Sequence, residues 1–538
     1  MNKIFFILVF IVQSSIVFSQ NNEKFLSAAK DGNFSEVKNW HDKGVDINFT
    51  DQNSNTALIW AVRGGYKDIA EFLLLNDCNV NHKNAMKYSA ILYAADASDI
   101  EILKLLVANN ADVNDKTHTG ASVLMHAVEA QNEAMVRFLI EKKADVNVWE
   151  RVNGETALMW AILNRDETIA ALLINNGAMV NANQILGFTP LILACKEALF
   201  NTVKLLIQKY ADPAATDKNG NNCLAHVPLD SNIEIVKFLT GYNYSNQKKL
   251  DLEGYNGHVV IKHAVVNGDI DYLKYTFQHR KSKAIDYSAA LQLAAQRGQL
   301  NIVKYMLEEL NADINSSTNE GETALIFAAT KNHLKVAEYL LDKGANIDKA
   351  KSDGKTAITV ATVNGNAEMV NLLMNKGATL NFSDKFNETG AYGSPLMHAS
   401  ALGYLNIVAD LLKGGSNINF KNDNGQDALQ LAINFNQFNV AEFLIKKGAN
   451  PNSKNRKGFT VLMLAASKGN LKIVQMLSES GANVNSVNKD KLITALDLAN
   501  AGKDISDKLK DKDASAKYKE VINYLKGKGA KTFKDAIK

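Results

Sequence analysis

Cysteine is scarce: three residues in a chain of 538, Cys78, Cys195 and Cys223. An odd count leaves at least one thiol unpaired, so paired cysteines do not account for the fold. Proline is equally rare, with five residues. No block of one charge sign occurs. The 60 Lys and Arg and the 57 Asp and Glu are interspersed, for a formal net charge of +3. That balance gives no nucleic-acid footprint and demands no strongly acidic partner. No Gly-x4-Gly-Lys-Ser/Thr, His-Glu-x-x-His or Gly-x-Ser-x-Gly motif is present, and no histidine or cysteine pair has metal-ligand spacing. No metal, cofactor or catalytic residue is therefore expected. The one unbroken apolar run of note, Ile4 to Val12, is too short for the ~30 Å of a bilayer core.

What is there begins with that run. Met1-Asn2-Lys3 precedes it, and Gln13-Ser14-Ser15 and Val17-Phe18-Ser19 follow. A positive start, an apolar middle and compact residues at Val17 and Ser19 suit a cleaved signal peptide, 1–19, cut between Ser19 and Gln20. Export to the periplasm or the exterior follows from that assignment, with no membrane insertion after cleavage.

An alanine then recurs after an apolar triplet: Ala28, Ala61, Ala94, Ala127, Ala161, Ala194, Ala264, Ala294, Ala328, Ala361, Ala399, Ala432, Ala465 and Ala499. Val227 fills the one gap, which makes fifteen units, most of them 33 or 34 residues long. Each unit carries two apolar stretches spaced by three and four, such as Leu158-Met159-Trp160-Ala161 and Ile169 with Leu172, Leu173 and Ile174. That period predicts two short amphipathic helices. A closing Gly177-Ala178-Met179-Val180-Asn181 suits a positive-φ helix end and a turn. Repeats this regular stack into a solenoid, because no unit can bury its apolar face alone.

The pattern resembles the ankyrin repeat. Its opening signature is matched by Thr189-Pro190-Leu191-Ile192-Leu193-Ala194 and Ser394-Pro395-Leu396-Met397-His398-Ala399. Its closing element is matched by Ala111-Asp112-Val113-Asn114, Gly344-Ala345-Asn346-Ile347-Asp348 and Gly481-Ala482-Asn483-Val484-Asn485. The resemblance implies an all-α solenoid of about fifteen helix–turn–helix units with β-hairpin loops. The family's signature histidine is replaced by Ile59, Leu92, Met125, Met159, Ile192, Ile326 and Met397, so contacts there are expected to be apolar packing, not a polar ladder. Organisation is read as an N-terminal block, 20–241, an irregular segment, 242–286, where the solenoid could bend, and a C-terminal block, 287–538. Two enlarged loops are placed at Tyr242 to Gly257 and Asp384 to Gly393, and a Lys- and Asp-rich insert at Gly502 to Lys519 suits a solvated cap. A Cys195–Cys223 bridge is not expected, since the two helices would have to meet at different heights.

In the family, partner contacts come mainly from hairpin tips and the exposed end of the first helix, so a scaffold binding through its concave face and hairpin tips is expected. Carried over position by position, the resemblance nominates Gln52, Asn53, Asn55, His118, Thr119, Val152, Asn153, Glu155, Ile185, Leu186 and Phe188. In the later units it nominates Glu320, Glu322, Asp353, Lys355, Asp423, Gln426, Arg456, Lys457 and Phe459. Val152, Ile185, Leu186 and Phe188 are apolar at places nothing in the repeat buries, which suits interface anchors or packing on adjacent hairpins. A further column, Trp60, Tyr93, His126, Trp160, Leu193 and His226, is read as inter-repeat packing. Two functions fit: a non-catalytic protein-binding scaffold, with the exported bacterial members of the family implying support of a periplasmic, stress-related protein, or a secreted effector engaging a host or competitor protein. A hydrolase within 242–290 is disfavoured, because so short a segment is too small for a catalytic domain.

Overall fold

The apolar period resolves into helix pairs in a computed structural model that describes residues 20–230, 233–242, 249–252, 254–279, 287–384 and 393–536. Among the described residues, fifteen such pairs follow one another in sequence. The proposed signal segment, 1–19, lies outside the described residues, as does most of the second enlarged loop, 385–392. The chain divides into two compact units, 1–267 with 271–282, and 268–270 with 283–538.

One repeat shows how the residues build the element. Thr156 is extended, and its hydroxyl accepts the Met159 N–H at 3.4 Å, capping the first helix, Ala157–Leu163. Ser or Thr is favoured there because it satisfies one of the orphan donors of the first turn. Arg165 turns the chain at φ 60°, and Asp166 caps the second helix, Glu167–Asn175, by accepting the Ile169 N–H at 2.9 Å. Leu158, Met159, Ile162, Ile169 and Leu173 are fully buried. The recurrent alanines, Ala61, Ala94, Ala127 and Ala161 among them, are fully buried too. Their small side chains let successive first helices approach closely. Gly177 takes φ 89° at the close of the second helix, a conformation that an L side chain adopts at a cost.

The hairpin loops are short: among the described residues they close on isolated antiparallel bridges such as Lys116↔Ser122 and Trp149↔Thr156. Each tip is too short for a ladder. The first enlarged loop ends earlier than Gly257, since a helix runs over Gly254–Val266. The insert at 502–519 is largely helical, lengthening the last pair to Ala495–Lys508 and Lys512–Gly527. Tyr518 there donates to the Ser467 carbonyl at 2.7 Å, closing the end of the stack.

The cysteine argument also changes. Cys195 and Cys223 are buried free thiols in contact with each other, and burial pushes Cys195 well above the usual thiol range. One stands at the end of Pro190–Lys196, the other at the start of Cys223–His226. Adjacent first helices are offset so that these two positions meet.

The positions that replace the signature histidine, from Ile59 to Met397, are 1% exposed or less. A polar ladder exists nevertheless, built in most repeats by the asparagine that closes the repeat. The Asn48 carboxamide accepts the Asn79 N–H at 2.7 Å, Asn81 that of Asp112 at 2.8 Å, Asn114 that of Asp145 at 2.7 Å, and Asn147 that of Met179 at 2.7 Å. Asn181 continues to Asp212 at 2.8 Å. In the second unit Asn315, Asn419 and Asn452 repeat the contact at 2.8–2.9 Å. The next rung of the first unit has no carboxamide, because Ala214 stands in that place.

Candidate protein-binding surface

Most hairpin tips are organised by the side chain of their first residue. The Asp51 carboxylate accepts the N–H groups of Asn53 and Asn55, both at 2.8 Å, and the Trp60 indole N–H at 3.0 Å. Burial pushes the Asp51 carboxyl up, but these bonds outweigh it and hold the group below the usual carboxylate range. Asn84 accepts from Met86 and Tyr88 and donates to the Tyr93 hydroxyl at 3.0 Å. Glu150, 4% exposed, accepts the N–H groups of Val152, Asn153 and Glu155. The Asp217 carboxylate accepts from Asn219 and Asn221 and pairs with His226 Nε2 at 3.0 Å. The Asn221 N–H is the main reason its carboxyl lies low. Asp384 pairs with His398 Nε2 in the same way at 2.7 Å.

The aromatic and histidine column is thus tied to its own tip as well as to neighbouring repeats. His126 packs edge-on to Trp160 with ring centres 6.4 Å apart, while Trp160 donates to Glu155 at 3.0 Å. Packing alone, as the sequence suggested, understates it. A group immediately before the core alanine points back beneath the hairpin.

Successive tips are also joined backbone to backbone. The N–H groups of Ala85, Arg151, Ile185 and Lys218 donate to the carbonyls of Asn53, Thr119, Asn153 and Leu186 at 2.7–3.0 Å. In the second unit Ser352 and Arg456 donate to Glu320 and Asn424, both at 2.9 Å. Gly187, at φ 84°, shows how tight this is: a Cβ there would lie 2.9 Å from the Lys218 nitrogen.

In the first unit Gln52, Asn53, His118, Val152, Asn153, Ile185 and Leu186 stand exposed along this row. Thr119 is half-buried with its hydroxyl 2.7 Å from that of Thr117. Glu155 is half-buried, and burial pushes its carboxyl up. Two nominations are corrected. Asn55 is buried, its carboxamide donating to Asp51 and accepting from Asn84 at 2.9 Å. It lies at the foot of the tip, where the chain turns inward to the helix. Phe188 is half-buried, its ring edge-on to His226 at 5.2 Å with the Lys196 ammonium over it at 5.6 Å. His226 on the next first helix and Lys196 on its own cover it.

In the second unit Glu320, Asp423, Arg456 and Lys457 are exposed. Glu322 is paired with Lys351 at 2.9 Å, and Asp353 with Lys355 at 2.9 Å, all four half-buried. Gln426 and Phe459 are half-buried, with backbone N–H groups held by Asn422 and Asn455. Sequence reasoning missed Met86, Lys87, Trp149, Arg151 and Lys218, all exposed. Aligning every hairpin on its first residue would have found all but Trp149.

Comparison with known proteins agrees with this architecture. Ankyrin repeats (3 copies) match at 25–117, 91–184, 226–318, 261–351, 291–384, 347–422 and 396–488, and a single Ankyrin repeat at 186–218. The chain belongs to the ankyrin-repeat family, whose members are protein-binding solenoids and as a rule non-catalytic. Among curated proteins it is 30% identical over 198 residues to human Transient receptor potential cation channel subfamily A member 1, covering 36% of this chain and 18% of that one. It is 29% identical over 188 residues to Palmitoyltransferase AKR1 of Lachancea kluyveri, covering 34% and 25%. A putative ankyrin repeat protein of Rickettsia bellii is 28% identical over 166 residues, covering 31% and 19%. The chain thus spans a quarter or less of these relatives, which come from an animal, a fungus and a bacterium, so the match does not carry the exported bacterial assignment. The solved ankyrin repeat domain of Bcl-3 aligns with 40% of this chain and 97% of its own, at 21% identity and a TM-score of 0.37. Among the described residues, no cluster of three or more His, Cys, Asp or Glu could hold a metal ion. Nor is any helix there long and apolar enough to cross a membrane.

Proposed function

We propose that this chain is an exported, non-catalytic scaffold that binds another protein in the periplasm through its hairpin tips, in support of a stress-related partner. One observation carries the binding reading. Val152, Ile185 and Leu186, 61%, 50% and 57% exposed, stand on successive tips that are hydrogen-bonded to one another. Aliphatic side chains held outward on a preorganised frame are what an interface core requires, because little conformational freedom remains to be lost on docking. Export rests on the segment 1–19 alone, and the stress-related role on the family resemblance alone.

The test compares the full chain with a Val152→Ser/Leu186→Ser variant in pull-down from the cell envelope. One protein should be retained by the native chain and lost by the variant, with identical circular dichroism and thermal melt. Equal retention removes the tips from binding, and a lowered melt makes these side chains structural. Release by osmotic shock locates the protein in the periplasm, whereas recovery only from culture medium excludes it.

A further inference from the structure

Charge is sorted along the tips of the first unit. The carboxylates of Asp51, Glu150 and Asp217 turn inward and are taken up by backbone N–H groups. Glu155 is taken up by Trp160. The side chains left outward are Lys87, Arg151 and Lys218, all exposed, with Met86, Val152, Ile185 and Leu186 at 50–62% exposure. Beside them Trp149, 61% exposed, lines a cavity of about 260 Å³ with Lys116 and Arg151. The one carboxylate there, Asp145, accepts the Asn147 N–H at 2.9 Å. No such sorting occurs in the second unit, where Glu320 and Asp423 are exposed at the tips.

We propose that the tip row from Met86 to Lys218 binds an extended peptide segment in which acidic residues alternate with aliphatic ones. This rests on the reading that the tips dock protein, and adds what they dock. Unpaired cations flanking exposed aliphatics match carboxylates flanking aliphatics on the partner, and this complementarity both steers encounter and sets register. Backbone hydrogen bonds join the tips at three of the four intervals, from Thr119 to Lys218, and the Lys83 ammonium donates to the Lys116 carbonyl at the other, so most of the ordering cost falls on the peptide. Five tips, with four intervals of about 10 Å between packed units, span about 40 Å. An extended chain at about 3.3 Å per residue needs about 12 residues to cover that distance.

The experiment selects 12-residue peptides from a random display library on the full chain, then measures an enriched synthetic peptide by fluorescence anisotropy. Enrichment of Asp and Glu with Leu, Ile and Val is expected. Affinity should fall about tenfold or more in a Lys87→Glu/Arg151→Glu/Lys218→Glu variant and in Ile185→Ser/Leu186→Ser. It should weaken with salt and be unchanged in Glu368→Lys/Glu479→Lys, exposed carboxylates on second helices away from the tips. Circular dichroism shows that each variant is folded. No enrichment, enrichment of neutral or basic peptides, or insensitivity to the first two variants overturns the proposal. So does binding only to anionic phospholipid vesicles. Sedimentation showing a dimer abolished by the charge reversal would make a second copy the occupant, which also overturns it. If the tip variant loses its protein partner while acidic peptides do not bind, the docking reading stands and this chemistry fails. If neither is affected, both fail.

Discussion

His263 sits on the helix Gly254–Val266 at 1% exposure. Burial pushes its imidazole down to about 4, against a small opposing pull from the Val227 backbone. The unfolded chain restores an ordinary imidazole near 6.5, so between those values the unfolded state binds more protons than the folded one. Stability from keeping this ring neutral is therefore complete above about pH 6.5 and is lost as the pH falls toward 4. Urea midpoints should drop from pH 7 to pH 5, and a His263→Leu variant should show a smaller drop. An equal drop in both would assign the acid sensitivity elsewhere.

The unit-closing asparagine is the element that joins one repeat to the next outside the core. Asn147 accepts the Met179 N–H and donates to the Gly177 carbonyl at 3.1 Å. Asp348 fills the same place in the second unit and accepts both the N–H and the hydroxyl of Thr379. Acceptance is therefore the shared requirement. Asn147→Ala should cost about 0.5–1.5 kcal/mol, the net worth of a partly solvated hydrogen bond. Asn147→Asp should cost less, because the acceptor survives and only the donor is lost. Chemical denaturation of the two variants measures the difference, and equal costs would refute the rung. A histidine ladder is a helix-based device, whereas this one is built from turns. That is why apolar residues at the histidine positions did not remove polar coupling between repeats.

A solenoid's stability is a sum of unit and neighbour contributions, so the weakest unit opens first. In the first unit that place is identifiable. The helix Cys223–His226 has only four residues, against seven in Ala157–Leu163, and the rung before it is missing at Ala214. Hydrogen exchange should therefore be faster over residues 223–240 than over 157–175. Uniform protection across both would show that the break has no energetic consequence.

Helix pairs, unit length and core were legible in the chain itself. An alanine every 33 residues with apolar neighbours at three and four can satisfy burial in one way only, and local periodicity carries that information. The tips were legible as places, from the turn residues between units. Their side-chain roles were not. Asn55 and Asn53 are the same residue type two positions apart, yet one lies under the hairpin and the other stands outside it. Phe188 reads as exposed until His226 of the next repeat packs against it. Glu150, Asp51 and Asp217 count as charges in composition, but folding turns them inward. These distinctions depend on which neighbour a residue meets 30 positions away, and only the stacking of one unit on the next decides that.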